Sequence, residues 1–400
     1  MTTVKDAEEI ILAQARDYGS EQVLFEQSPG RVLAEDLKAD RDLPPCNRVT
    51  MDGIAIKCAA FESGIKTFAI KGVVAAGDEP IEIDAFNECV EIMTGAALPD
   101  STDTIVRYED VEIKDGIATV ITNDIRKGQN LHYKGKDKKE GETVATANEN
   151  INPAHISMAA SVGKSTLLVK KMPRVVIIST GDELVDVDAT PTPYQVRRSN
   201  SYAVKAVLQQ HGVLADTLHI PDEPTITCTQ IESCLAKYDV ILLSGGISMG
   251  KFDYVPQVLE ELSIQKLFHK VQQRPGKPFW FGKHKNGVLV FAFPGNPVST
   301  FMCLHRYFLP WLQRSLGVTS RPAFAELNED ISFTPALQYF AQVKLKICKH
   351  GHLHATPMEG HGSGDFANLL DTDAFMELPL EQSIFKKGEV YRIWPFKNIM

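Results

Sequence analysis

The sequence predicts an α/β chain of several domains. A parallel sheet with helices on both faces lies in the middle, and β-rich regions lie before and after it. Three observations carry this reading. The chain has 400 residues, which suggests about two to three domains. Between residues 174 and 312, apolar strand-like runs alternate with helical patterns, the order that builds a parallel sheet. Residues 67–121 and 321–400 instead show short runs of period two, cut by turns.

In chain order, residues 4–18 carry Ala7, Ile10, Ile11 and Ala15 at helical spacing and stop at Asp17-Tyr18-Gly19. Residues 21–33 read as a short strand and a turn at Pro29-Gly30. In D-L-P-P-C-N-R-V-T-M-D-G-I-A-I (42–56) two prolines stiffen the approach, and Asp52-Gly53 turns into an apolar strand. Locally this reads as a plain β-turn, a reading that outweighs the alternative of a carboxylate presented on a rigid loop. The β-rich stretch follows, punctuated by Gly77-Asp78-Glu79-Pro80 and Thr94-Gly95. Residues 132–141 are a charge-dense loop and 152–162 a short helix. Gly163-Lys164-Ser165-Thr166 imitates the end of a P-loop. It is rejected because Met158 stands where the first glycine belongs and a helix, not a strand, precedes it.

The texture then changes. Val175, Val176, Ile177 and Ile178 form a β-branched run, as a buried parallel strand does, and end in Thr180-Gly181-Asp182-Glu183. A helix is expected over 199–211, and a strand over 213–220 that ends in Pro221-Asp222-Glu223. A helix over 225–237 leads to a strand over 239–243, which feeds L-S-G-G-I-S-M-G-K-F-D-Y (243–254) and a further helix over 254–262. Strands follow near 264–271, 279–282 and 288–293. The last ends in P-G-N-P-V-S-T (294–300) and an apolar helix to Leu312. Beyond it, alternation at 340–347 and 352–356, a loop at His361-Gly362-Ser363-Gly364, a short helix over 366–370 and a strand over 390–395 read as a second β-domain or a barrel.

The hydrophobic fraction, 44%, is that of an ordinary globular protein. The net charge of −9 argues against nucleic acid or a membrane surface as partner, so basic residues gathered at one place stand out. The seven cysteines are scattered without a C-x-x-C pair, which points to a reducing cytoplasm and to neither a zinc knuckle nor a disulfide framework. The N-terminal residues do not read as a secretory signal, and no apolar run reaches the ~20 residues needed to span a bilayer.

Several polar clusters directly follow strands at one end of the inferred sheet: Gly181-Asp182-Glu183, Asp222, the 244–253 loop and 295–299. Open α/β sheets bind ligands there. Asp182, Glu183, Asp222 and Asp253 are hard oxygen ligands suited to Mg²⁺ or a similar cation. Opposite them, Arg274-Pro275-Gly276-Lys277-Pro278 offers two cations on a stiff backbone. The Gly245-Gly246 loop and the helix start at Pro297 add backbone N–H groups. The set describes a site for an oxyanion or phosphate held beside a metal. No nucleophile-plus-base group is visible, and no strand leads into G-x-G-x-x-G.

These stretches resemble the molybdopterin molybdenumtransferase family, the MoeA type that includes the E-domains of gephyrin. The resemblance runs through 44–55 with Met51-Asp52-Gly53, 92–96, 135–137, 179–184, Ser199-Asn200, 244–254, 274–278 and 294–299, with 362–364 matching a C-terminal motif. It implies a doubly wound, mostly parallel α/β domain of the molybdopterin-binding type (171–320), an N-terminal linker region (1–38 plus 133–170), an inserted β-domain (39–132) and a C-terminal β-barrel-like domain (321–400). It implies a homodimer whose active cleft is shared between subunits, contacts with other cofactor-biosynthesis proteins, and a cytoplasmic transferase. This enzyme would join molybdate to adenylated molybdopterin and release AMP with Mg²⁺ or another divalent cation. On that reading Arg274, Lys277 and Ser299 hold anions. Asp182, Glu183, Asp222 and Asp253 serve metal or nucleotide, and Asp52 and Asp137 complete the cleft. Thr180, Gly181, Ser244, Gly245, Gly246, Ser248, Pro294, Gly295 and Asn296 line the pterin and phosphate site. The chain departs from many relatives in having Val49, Ile54, Gln338 and Gln342 at positions where serine, tyrosine and two arginines are frequent. A scaffold on the same fold, or the related adenylyltransferase step, are the competing readings. The retained acids with Arg274 and Lys277 speak against the first, and the extra β-domains and the Asp52 loop against the second.

Overall fold

The computed structural model describes residues 1–247, 254–319, 321–360, 362 and 364–397. Its centre is a six-stranded sheet in the order Ala215–Ile220, Val175–Thr180, Val240–Ser244, Leu289–Phe293, Trp280–Lys283, Gln265–His269. The first four strands run parallel, Trp280–Lys283 runs antiparallel to them, and Gln265–His269 runs antiparallel to Trp280–Lys283. Val175–Thr180, Val240–Ser244 and Leu289–Phe293 are buried at every position, which explains why they read as unbroken apolar runs rather than alternations. One face packs against Asn200–Gln210 and the helical run that starts at Pro297, the other against Pro224–Lys237 and Val255–Glu261. The chain leaves Val175–Thr180 in one direction and returns on its other side at Val240–Ser244. The sheet's topological switch point therefore lies between those two strands.

A second six-stranded sheet has the order Thr104–Arg107, Gly53–Ile56, Glu88–Ile92, Thr67–Val74, Ile117–Val120, Val111–Lys114. Gly53 opens its second strand because nothing larger fits: a Cβ there would lie 1.9 Å from the Val106 carbonyl oxygen. Short ladders join the chain on either side of this sheet. Ser20–Leu24 pairs with Thr166–Lys170, Leu37–Lys38 with Thr143–Ala145, and Arg48–Val49 with Leu131–His132. The first helix, Val4–Leu12, is shorter than its sequence pattern and buries Val4, Ala7 and Ile11 in the core of the central domain. It starts at a Thr3 cap, whose hydroxyl accepts the Asp6 N–H at 3.1 Å.

In the C-terminal sheet, Gln338–Ile347, Leu353–Pro357, Ala323–Leu327, Val390–Pro395 and Ala374–Leu378 follow in order, and the last pairs back with the first to close a barrel. Gln273–Arg274 adds outside it, parallel to Gln338 and Tyr339. This strand ties the central domain to the barrel directly before the Pro-Gly-Lys-Pro loop.

The long helical run 297–315 contains a π-helical segment, Leu304–Phe308. In it Arg306 is 2% exposed. Its guanidinium lies 2.9 Å from Glu8 of the first helix and 3.2 Å from Glu377 of the barrel, and 4.5 Å from the Trp394 ring centroid. Three separate parts of the chain thus meet on one buried charge. Removing one member of such a group leaves the others uncompensated in a medium that solvates charge poorly. Arg306→Ala is therefore expected to cost about 3–5 kcal/mol of stability, read as a lower midpoint in urea unfolding.

Candidate active site

The site forms where strand ends meet the basic loop and the barrel. Gly245 (φ 104°) and Gly246 (φ 66°) follow Val240–Ser244 in conformations that disfavour other residues. Space excludes them too: a Cβ on Gly245 would lie 2.8 Å from the Thr180 carbonyl oxygen, and one on Gly246 2.8 Å from the Thr180 hydroxyl. Asn200 locks neighbouring strand ends together. Its side-chain amide donates to the Ser244 hydroxyl at 2.9 Å and to the Gly295 carbonyl at 2.7 Å. Thr300 closes the same turn by donating to the Pro294 carbonyl at 2.6 Å. The helix that begins at Pro297 puts buried Ser299 in its first turn, where backbone N–H groups have no acceptor within the helix.

Together these elements enclose a cavity of about 1110 Å³. Its floor is Thr180, Gly181, Ser244–Gly246 and 294–299, at the switch point of the sheet. Arg274–Pro278 forms one wall, and Tyr339, Phe340, Gln342 and Met358 of the barrel form the roof. Leu184, Val196, Arg197 and Arg198 reach in from the short pair of strands Leu184–Val185 and Val196–Arg197.

The cavity is cationic although the protein is acidic. Arg197, Arg198, Arg274 and Lys277 line it. Arg198 pairs with Asp186 at 2.6 Å. Among the described residues no carboxylate lies within ion-pair distance of Arg197, Arg274 or Lys277. The Arg274 guanidinium stands 5.8 Å from the Phe333 ring centroid. Phe333 in turn stacks on Tyr339 at 4.2 Å with 6° between the planes, so the cation rests on an aromatic pair. Cations without carboxylate partners among the described residues, converging on a half-enclosed space, suit an oxyanion or phosphate, because water screens them poorly there.

Comparison with known proteins decides what kind of site this is. Residues 2–163 match the MoeA N-terminal region (domain I and II), 176–314 the probable molybdopterin binding domain and 325–396 the MoeA C-terminal region (domain IV). A molybdopterin molybdenumtransferase of Synechocystis sp. is 38% identical over 394 residues, covering 98% of this chain and 99% of that protein. The chain belongs to the molybdopterin molybdenumtransferase family. It is an enzyme of molybdenum-cofactor biosynthesis. A Staphylococcus epidermidis molybdopterin molybdenumtransferase is 28% identical over 397 residues, covering 97% of this chain and 94% of that one. The crystal structure of the molybdopterin biosynthesis MoeA protein from Pyrococcus horikoshii superposes with a TM-score of 0.84 at 28% identity, covering 100% of both chains.

Within this family's fold, the residues expected at the site divide into three groups. Thr180, Gly181, Glu183, Asp222, Ser244, Gly245, Gly246, Arg274, Lys277, Pro294, Gly295, Asn296 and Ser299 all line the cavity. Ser248 and Asp253 lie outside the described residues. Asp182, Asp52 and Asp137 do not line it. Asp182 accepts the Asp222 backbone N–H at 3.0 Å and so braces the neighbouring strand end. Asp52 accepts the Thr94 N–H at 2.6 Å. Hydrogen bonds from the Thr94 hydroxyl and N–H hold its carboxyl below the usual carboxylate range, so it is charged at neutral pH. Asp137 lies 2.8 Å from Nε2 of His132, whose other ring nitrogen is 3.5 Å from Arg48. Asp52 lies directly before the Gly53–Ile56 strand and Asp137 in the loop after Leu131–His132, and neither lines the chain's own cavity.

The four departures also separate. Val49, in the ladder with Leu131–His132, and Ile54, in the Gly53–Ile56 strand, are buried, and neither lines the cavity. Gln338 donates to Glu377 at 2.6 Å, while Gln342 lines the cavity with its side-chain oxygen unpartnered. Sequence reasoning missed Arg197, Arg198 and Gln273, all at the cavity. The paired arginines directly before Ser199-Asn200 were the available signal. Nothing local marks Gln273.

Proposed function

We propose that this enzyme inserts molybdate into adenylated molybdopterin: molybdenum is taken by the dithiolene, one water adds to phosphorus as the phosphoanhydride breaks, and AMP leaves. The observation that carries it is the cavity itself: Arg197, Arg274 and Lys277 converge, without carboxylate partners among the described residues, at the switch point of a molybdopterin-binding fold. Molybdate is a tetrahedral dianion and the nucleotide half of the substrate carries phosphates, so both require such a surface. Arg274, Lys277 and Ser299 bind the oxyanions, and the N–H groups around Gly245, Gly246 and Pro297 take further oxygens. Tyr339 and Phe340 present apolar surface to the flat ring system.

A divalent cation suits this arrangement. Among the described residues no three carboxylate, histidine or cysteine side chains gather at one point. Mg²⁺ does not need them: it keeps several waters and takes one or two carboxylates plus substrate phosphates. Glu183 and Asp222, both at the cavity, would hold it. When bound it would neutralise phosphate charge as AMP departs. The protein groups orient the two substrates and screen their mutual repulsion.

We further read the active form as a homodimer in which Asp52 and Asp137 reach the cavity of the partner copy. That neither lines the chain's own cavity supports this, as do the committed charge of Asp52 and the family's fold. The free cysteines and the absence, among the described residues, of any helix long and apolar enough to cross a membrane accord with a cytoplasmic setting.

Purified protein given adenylated molybdopterin, molybdate and Mg²⁺ is expected to release AMP, quantified by chromatography. AMP release no faster than that of an Asp222→Ala, Asp253→Ala double variant would rule the reaction out.

A further inference from the structure

We propose that Gln273 is a positioning residue. Its buried amide, held by the Tyr307 hydroxyl, sets where Arg274 and Lys277 stand in the cavity. The inference rests on the anion-binding reading above and assigns that binding a hidden support.

Gln273 is 0% exposed. A primary amide in such a place must satisfy an acceptor oxygen and two N–H groups inside the protein, so its contacts define its orientation. The Tyr307 hydroxyl donates to its side-chain oxygen. Its side-chain nitrogen donates to the Gly276 carbonyl at 3.2 Å and lies 3.6 Å from the Cys303 sulfur. One side chain therefore grips the middle of the Arg274–Pro278 loop from beneath and fastens it to the helical run 297–315.

The loop is pressed onto that support. Gly276 has φ 85°, and a Cβ there would lie 2.7 Å from the Cys303 sulfur, 2.8 Å from the Gln273 nitrogen and 3.0 Å from the Met302 methyl carbon. Backbone bonds close the base of the loop: Val271 N–H to the Lys277 carbonyl at 2.9 Å, and Phe279 N–H to the Gly276 carbonyl at 3.2 Å. These fix its width. Its height over the helix depends on what lies beneath Gly276, which is the Gln273 amide with Cys303 and Met302.

Tyr307 is suited to hold that amide. It is 1% exposed and lies in the π-helical segment, whose extra residue per turn shifts side chains from their ordinary α-helical directions. Its neighbour Arg306 is anchored to Glu8 and Glu377, so the turn that carries the hydroxyl is pinned from two sides. Burial raises the phenol well above its ordinary range, and it stays a donor at any working pH. The Gln273–Arg274 strand also pairs with Gln338 and Tyr339 of the barrel. The amide thus joins the basic loop to the helix, and the backbone of the same residue joins both to the barrel.

The test uses the full-length enzyme with two substitutions. Gln273→Met keeps volume and removes every polar contact; Tyr307→Phe removes only the hydroxyl. Molybdate affinity is measured by titration calorimetry, KM and kcat by AMP release, and folding by thermal melting. For Gln273→Met, the molybdate Kd and KM are expected to rise about tenfold, with kcat at saturating molybdate near the parent value. Tyr307→Phe shifts both in the same direction by less. A purely structural role lowers the melting temperature and the active fraction while leaving KM and Kd unchanged. That result, or a Kd within twofold of the parent in a folded Tyr307→Phe protein, overturns the proposal even if Gln273→Met does not fold. A parent enzyme that binds molybdate but releases no AMP refutes the reaction instead, and the calorimetric arm still decides the role of Gln273.

Discussion

Replacing both Arg274 and Lys277 by alanine is expected to weaken molybdate binding by at least about 100-fold and to bring AMP release to background. Hydrogen bonds to charged groups are each worth about 1.5–3 kcal/mol, and about 1.4 kcal/mol is a factor of ten. Two lost cations therefore amount to two or more orders of magnitude. The loss is not recovered by release of internal partners, because neither residue has a carboxylate partner among the described residues. Arg274 also loses its place over Phe333, so the aromatic pair beneath it is uncovered. For the same reason the folded state should change little: a thermal melt near the parent value accompanies the lost affinity. Calorimetry with molybdate, and with tungstate as a nearly isosteric anion, reads the effect directly. Affinity within threefold of the parent would remove these cations from the anion site and leave Arg197 as the main candidate.

The second large effect is a restoration. An Asp52→Ala chain and an Arg274→Ala chain, each inactive alone, are expected to regain activity when mixed under conditions that exchange subunits. A twofold dimer with crossed clefts gives each heterodimer one cleft free of both substitutions and one carrying both. Equal mixing makes about half of the dimers heterodimers, which corresponds to about a quarter of parental activity. The motive is geometric. Asp52 is exposed, charged and oriented by Thr94, yet it does not line the cavity that holds Arg274. Native mass spectrometry with one chain isotopically labelled establishes exchange independently of turnover. Mixed dimers that form but stay inactive would show that the cleft is not shared in this way.

Most of the central domain was legible along the chain. Val175–Thr180 and Val240–Ser244 are buried on both faces, so their apolar runs needed no partner information to be recognised. Gly245, Gly246 and Pro297 announced the turns because their conformations are locally demanding. The closure of the barrel was less legible. It depends on Ala374–Leu378 returning to Gln338–Ile347, a pairing between strands whose individual alternation fits an open sheet equally well. The first helix was overextended in the sequence because residues past Leu12 keep some helical spacing, while in the fold that segment runs on towards the strand Ser20–Leu24.

The site divides in the same way. The fold class, the family, the glycine turns and the basic loop are readable along the chain, because each shows in short runs of residues whose backbone demands are local. Which charged groups face the cavity emerges from the folded chain alone. Glu183 and Asp222 do, while Asp182 spends its carboxylate on the Asp222 N–H. Arg197 and Arg198 arrive from a short strand pair, and Gln273 supports the loop from the core. Asp52, prominent in the sequence, does not line the cavity of its own chain. The direction of a side chain depends on strand register and on packing between segments far apart in sequence. No local pattern of residues carries that information.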